Sequence, residues 1–178
     1  MRTLARITCA AIICAFVGID AAPAQQPAMG CSSEHPPNAV QTLRCRGSVT
    51  IIAEDGAKFT LQDRDKNGNV DSVDLKSKAL LVDAPKQRGK NRFEVTTPQA
   101  IAAVRGTKWA VDVQETRTSV LVLRGQVAVR RPAGADQVVL GPGDGVDVDP
   151  GTAPLVVKRW PQPRVAALLV GRFIQIEG

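Results

Sequence analysis

The stretch Phe93-Glu94-Val95-Thr96-Thr97-Pro98-Gln99-Ala100-Ile101-Ala102-Ala103-Val104-Arg105-Gly106-Thr107-Lys108-Trp109-Ala110-Val111-Asp112-Val113 decides the fold. Its last third alternates, with Trp109, Val111 and Val113 on one face and Ala110 and Asp112 on the other, a period of two that marks a strand. Working outward, Val127 and Val129 alternate with Gln126, Ala128 and Arg130, and Val146 and Val148 with Asp147 and Asp149. Ser119 to Leu123 is apolar on both faces, as expected of a strand covered on two sides. Between these runs lie Arg124-Gly125, Pro132-Ala133-Gly134 and Gly141-Pro142-Gly143-Asp144-Gly145, which is turn chemistry. Strands are expected to begin near 93, 101, 109, 119, 126, 137 and 146. That cadence fits an all-β sandwich or a short β-solenoid.

The upstream sequence continues the pattern. Gly47 to Ile52, Lys58 to Gln62 and Val73 to Val82 are three β-rich runs, read as the first turns of the same stack. Tyrosine is absent and aromatics make up 3% of 178 residues, so Val, Leu, Ile and Ala must build the core. Past Asp149-Pro150-Gly151 the pattern changes. Val165, Leu168 and Leu169, with Gly171 as a stop, permit a short helix within Arg164–Phe173, and a final strand through Ile174-Gln175-Ile176 competes with it. The expected divisions are a leader over 1–24, an N-terminal extension over 25–46, a β domain over 47–150 with its core motif at 93–148, and a cap over 151–178.

Phe93-Glu94-Val95-Thr96-Thr97-Pro98, then Val104-Arg105-Gly106-Thr107, then Val120-Leu121-Val122-Leu123-Arg124-Gly125-Gln126-Val127-Ala128-Val129 together resemble the FecR domain. The resemblance implies a solenoid-like stack of short strands and tips the fold toward that choice. It also implies structural roles for Thr97, Pro98, Val104, Arg105, Gly106, Thr107 and Gly125, with Arg105-Gly106-Thr107 as a fixed corner. It brings a compartment but no chemistry. Well-known members join a periplasmic domain to a membrane helix and a cytoplasmic segment that controls a sigma factor. Neither segment is read in this sequence, so no direct sigma-factor contact is expected.

Arg2 and Arg6, the apolar run Ile7 to Ile19 and the small residues Ala22-Pro23-Ala24 form a secretory leader. The expected location is periplasmic or secreted, with no transmembrane segment once the leader is removed. Lipidation at Cys31 is the alternative; Met29 suits it poorly. Cys9 and Cys14 leave with the leader, and Cys31 and Cys45 remain as an even pair in an oxidising compartment, which reads as a disulfide. A metal site adding His35, the one histidine, would lack a fourth ligand.

One loop offers chemistry that the resemblance does not demand. Asp63, Asp65, Asn67, Asn69, Asp71 and Asp74 stand at positions 1, 3, 5, 7, 9 and 12 of a calcium-loop spacing. Gly68 falls at the sharp turn and Val70 in the apolar slot. Oxygens at every second position can converge on one hard cation. Asp74 departs from the glutamate usual at the last position, and the flanks read as strands rather than helices. The competing reading is an Asx-rich turn, for which Asn67-Gly68 is sufficient reason.

Catalysis finds little support. His35 lies beside the cysteines, no G-x-S-x-G turn exists, and Asp112, Glu115, Asp144, Asp147 and Asp149 read as solvated faces of strands. The net charge of +6 raises nucleic acid as a partner, but stacking aromatics are missing among the basic runs. The expectation is a non-catalytic binding or scaffold module that acts on an envelope protein or polymer. A calcium-dependent structural or adhesive protein is the alternative, and a small envelope hydrolase ranks last.

Overall fold

The fold is organised around one long strand, β5 (Ser72–Ala84). Our computed structural model describes residues 29–86 and 92–174. The leader expected over 1–24 and most of the basic loop Lys86–Arg92 lie outside the described residues. Along β5, Val73 and Leu75 are buried at odd positions, whereas Leu80, Val82 and Ala84 are buried at even ones. Parity switches because Lys78 adopts a left-handed φ of 66° and the pairing shifts by one residue opposite Lys58 and Phe59. Such a bulge re-aims every side chain beyond it. The first half of β5 pairs antiparallel with β4 (Lys58–Gln62) and parallel with β6 (Phe93–Thr96). The second half pairs antiparallel with β3 (Val49–Ala53) and β8 (Thr107–Val113).

Two limbs grow from this strand. The first limb runs β1 (Cys31–Glu34), β2 (Gln41–Cys45), β3, β5, β8, β9 (Thr118–Arg124), β12 (Asp144–Val148) and β13 (Lys158–Arg159). The second limb runs β4, β5, β6, β7 (Ile101–Val104), β10 (Val127–Arg130) and β11 (Gln137–Leu140). The result is one curled, mixed sheet of 13 strands among the described residues, mostly β as the sequence implies. Ile51, Leu80, Val111, Trp109, Val120 and Val122 from the first limb meet Val73, Leu75, Val95, Val104, Val127 and Val129 from the second in a single apolar cluster. The β-branched residues expected to build the core do so. Every strand start anticipated from residue 93 onward is met within two residues.

The extension before residue 47 carries a hairpin, β1–β2, that continues the first limb by pairing with β3. Cys31 and Cys45 face each other across it and are joined by a disulfide. His35 sits 3.5 Å from Asp55 instead of joining them.

The other face of the first limb is also apolar, which explains Ser119 to Leu123. Ala79, Ala110 and Leu121 form a second cluster with Trp160 and with Leu168 and Phe173 of α1 (Gln162–Phe173). Val165, Leu168, Leu169 and Phe173 recur at helical spacing and make one apolar stripe. The proline at the first turn costs nothing there. The helix expected within Arg164–Phe173 is therefore formed, whereas most of the strand weighed through Ile174-Gln175-Ile176 lies outside the described residues. The helix does not stop at Gly171 but runs through it to Phe173, whose burial beneath the stripe offsets the poor helix propensity of glycine.

Candidate interaction surface

Several residues of the corner motif bond across its turns. Pro98 and Gln99 form the tip of the four-residue connection between β6 and β7, closed by the Thr97 N–H donating to the Ala100 carbonyl at 2.8 Å. The Thr97 hydroxyl accepts the Ala100 N–H at 2.8 Å and lies 2.9 Å from the Thr118 hydroxyl at the start of β9. Gly106 turns the chain into β8 with φ 73°, and Gly125 turns β9 into β10 with φ 84°. The two turns abut: a Cβ added at Gly125 would sit 2.6 Å from the Gly106 carbonyl oxygen and 2.9 Å from the Thr107 hydroxyl. Thr107 donates to the Gln126 carbonyl at 3.1 Å and stitches the pair together. Val104 points into the core beside them.

The acidic loop brings together some of its expected ligands. Oxygens of Asp63, Asp65 and Asp71 lie within 4.8 Å of one another. They also hold the loop internally. Asp63 accepts the Asn67 N–H at 3.0 Å and the Gly68 N–H at 2.7 Å, and Asp71 accepts from the Arg64 backbone and guanidinium. The Asn67 side chain donates to Asp65 and accepts the Asn69 N–H. Desolvation works to raise the Asp63 pKa, but the Gly68 and Asn67 N–H groups outweigh it and hold the carboxyl below its ordinary value. Asp74 is not in the group: it stands on β5, paired with Lys76 at 2.8 Å.

Several of the acids read as solvated strand faces are engaged within the fold. Asp144 accepts the Gly141 N–H within its own turn, and Asp149 pairs with Arg117 at 2.7 Å. Asp147 is held by Arg164 of α1 and by the Ser119 hydroxyl. Burial alone would raise the Asp147 pKa, yet these two hydrogen bonds keep it below the ordinary aspartate value. Asp112 overturns the solvated-face reading: it is 5% exposed because α1 lies over it, with Arg172 at 3.5 Å and the Gln114 amide at 3.1 Å. No local signal in β8 could reveal a cover supplied by a helix fifty residues on.

What the strands leave open is the outer face of the second limb. Its register aligns Glu94, Ala103, Ala128 and Val139 in one row across β6, β7, β10 and β11. The two alanines make the row low in the middle. A trough of about 690 Å³ follows, closed at one end by Lys86, Arg92 and Arg105 and bounded at the other by Gln137 and Val139. No carboxylate lines it among the described residues. Glu94, the acid of the row, is committed to Arg64 at 2.9 Å.

The architecture is thus a curled β domain with one limb capped by its own helix and, among the described residues, the other left uncapped. The sequence profile of the FecR protein family matches residues 36–128, just over half of the chain, and the chain belongs to that family. No curated protein matches it significantly in sequence. Two crystal structures of a "putative anti-sigma factor from Parabacteroides distasonis ATCC 8503" share the fold, at 19% identity and TM-score 0.60 over 75% of this chain. The match spans 62% of that protein's length.

Proposed function

We propose that this FecR-family chain is a non-catalytic binding or scaffold module of the bacterial envelope that acts through a protein partner. The observation that carries this reading is the asymmetry of the two limbs. The first limb buries its outer face under α1, whereas the second presents an open trough rimmed by cations. A periplasmic or secreted setting is supported by the Cys31–Cys45 disulfide, since such bonds persist in oxidising compartments. No helix among the described residues is long and apolar enough to cross a membrane. The anti-sigma relative lends the domain to this reading and not the sigma-factor contact. The engagement of Asp112, Asp144, Asp147 and Asp149 in structural bonds supports a non-catalytic role. The test is capture from an envelope extract on the immobilised, oxidised chain. One protein should be retained and displaced by the free chain. Retention of no protein, or of anionic polymer alone, would sink the proposal.

The convergence of Asp63, Asp65 and Asp71 favours a second reading, a calcium-dependent structural or adhesive role. Binding only to the folded form would stabilise it by about 2.7 kcal/mol at a hundredfold excess over Kd. Thermal melting in EDTA and in roughly millimolar calcium, the range of extracellular sites, decides it. Identical melting in both, or a calcium response that survives Asp63→Ala, leaves the loop as an Asx turn.

A further inference from the structure

Building on the module reading above, we infer that the trough of the second limb takes a short, extended, acidic segment of a partner protein. Such a segment would lay apolar side chains over Ala103 and Ala128 and place carboxylates on Lys86 and Arg92. The dimensions select an extended chain. The lined row from Ala103 through Ala128 to Val139 crosses three strands, two spacings of about 4.8 Å or roughly 10 Å, which about three extended residues span. The lining selects a protein rather than a charged polymer, because half of it is apolar and concave: Ala103, Ala128 and Val139, the last 55% exposed. A polyanion has nothing to place on that half, and a flat lipid surface does not enter a trough.

Charge selects an acidic segment. Three cations and no carboxylate line the trough among the described residues, and the whole chain is basic at +6. A second copy would bring more positive charge to the same place, at a cost in repulsion, whereas an acidic partner is attracted and oriented. The edge of the trough is also the least guarded edge of the sheet. β13 ends the first limb with Lys158 and Arg159 exposed, β4 carries the exposed Lys58, and β1 ends at the exposed Glu34. Charges of this kind keep foreign chains off an edge. Among the described residues β11 pairs only with β10 and offers Gln137, Val138, Val139 and Leu140, all uncharged. The entrance is open where the trough is apolar.

The test uses the oxidised chain and a fluorescein-labelled peptide, Leu-Thr-Val-Glu-Glu, read by anisotropy. Saturable binding that weakens with salt is expected. It should fall about tenfold in the double variant Lys86→Glu, Arg92→Glu and again in Val139→Lys, the scale of a lost charge pair or a blocked apolar contact. Both sites lie on the surface, and unchanged melting of each variant verifies its fold. Peptides with Lys for Glu, or Ser for Leu and Val, should not bind. The inference is overturned if neither variant weakens binding, or if poly-glutamate or phosphatidylglycerol vesicles compete as well as the peptide. It is equally overturned if sedimentation shows a dimer that Val139→Lys dissolves, since the occupant is then a second copy. Repeating the envelope capture with the double variant separates the two claims. A partner still retained by the double variant sinks the trough and leaves the module standing. A peptide that binds while the wild-type chain captures nothing sinks the module and leaves the trough's chemistry.

Discussion

Gly106 and Gly125 are two turns that share one contact, and their substitution should reveal it. At Gly106 the φ of 73° disfavours any β-carbon, and an added Cβ would lie 3.0 Å from the Lys86 Cβ. Gly106→Val should cost about 2–4 kcal/mol. For a domain of this size that lowers Tm by roughly 5–15 °C. Gly125→Ala drives its Cβ into the Gly106 carbonyl and Thr107, so it should destabilise as well. Because a displaced Gly106 corner would also relieve that clash, the double variant Gly106→Ala, Gly125→Ala should cost less than the sum of its singles, by about 0.5 kcal/mol or more. Additive melting shifts would show that the turns are independent. At this scale the sequence was readable where backbone conformation decides, since glycine at a positive φ announces itself. It was unreadable where a side chain's environment is set from elsewhere. Asp112 and Asp147 alternate along their strands like solvated acids, and only α1 makes them partners of Arg172 and Arg164.

The helix α1 is the element whose attachment depends most on charge. Arg164 bonds Asp147 while stacking 3.6 Å over Trp160, and Arg172 reaches Glu54 at 2.8 Å as well as Asp112. The pKa of Asp147 is depressed in the folded chain, so its contribution is whole above the ordinary aspartate value of about 3.9 and disappears as pH falls through its lower, folded value. On acidification below that value the indole signal of Trp160 in NMR should shift before that of Trp109, which is wholly buried between the limbs. In Asp147→Asn the early shift should be gone. Simultaneous movement of both indoles in the native chain would mean that the helix is not released separately. Element positions were mostly legible, because the period of two is a local signal. The β1–β2 hairpin was not, although Gln41 to Cys45 alternates. Its polar, proline-bearing surroundings look like a tail until β3 supplies the pairing partner. β13 is two residues long and leaves no pattern at all.

At the scale of the molecule, the sequence conveyed the class of fold but not how the sheet closes. Nothing in Val73 to Val82 marks where the buried parity changes; Ser77 and Lys78 look like an ordinary polar break. The trough was equally hidden. Ala103 and Ala128 lie 25 positions apart and became neighbours only through register. The bulged strand β5 has a consequence for how the chain comes apart. One continuous backbone supplies hydrogen-bond partners to β4 and β6 at one end and to β3 and β8 at the other. Neither limb can therefore fray inward as far as its centre without tearing the other. Loss proceeds from the rims, and when β5 itself lets go the cohesion of the entire sheet ends in a single all-or-none event.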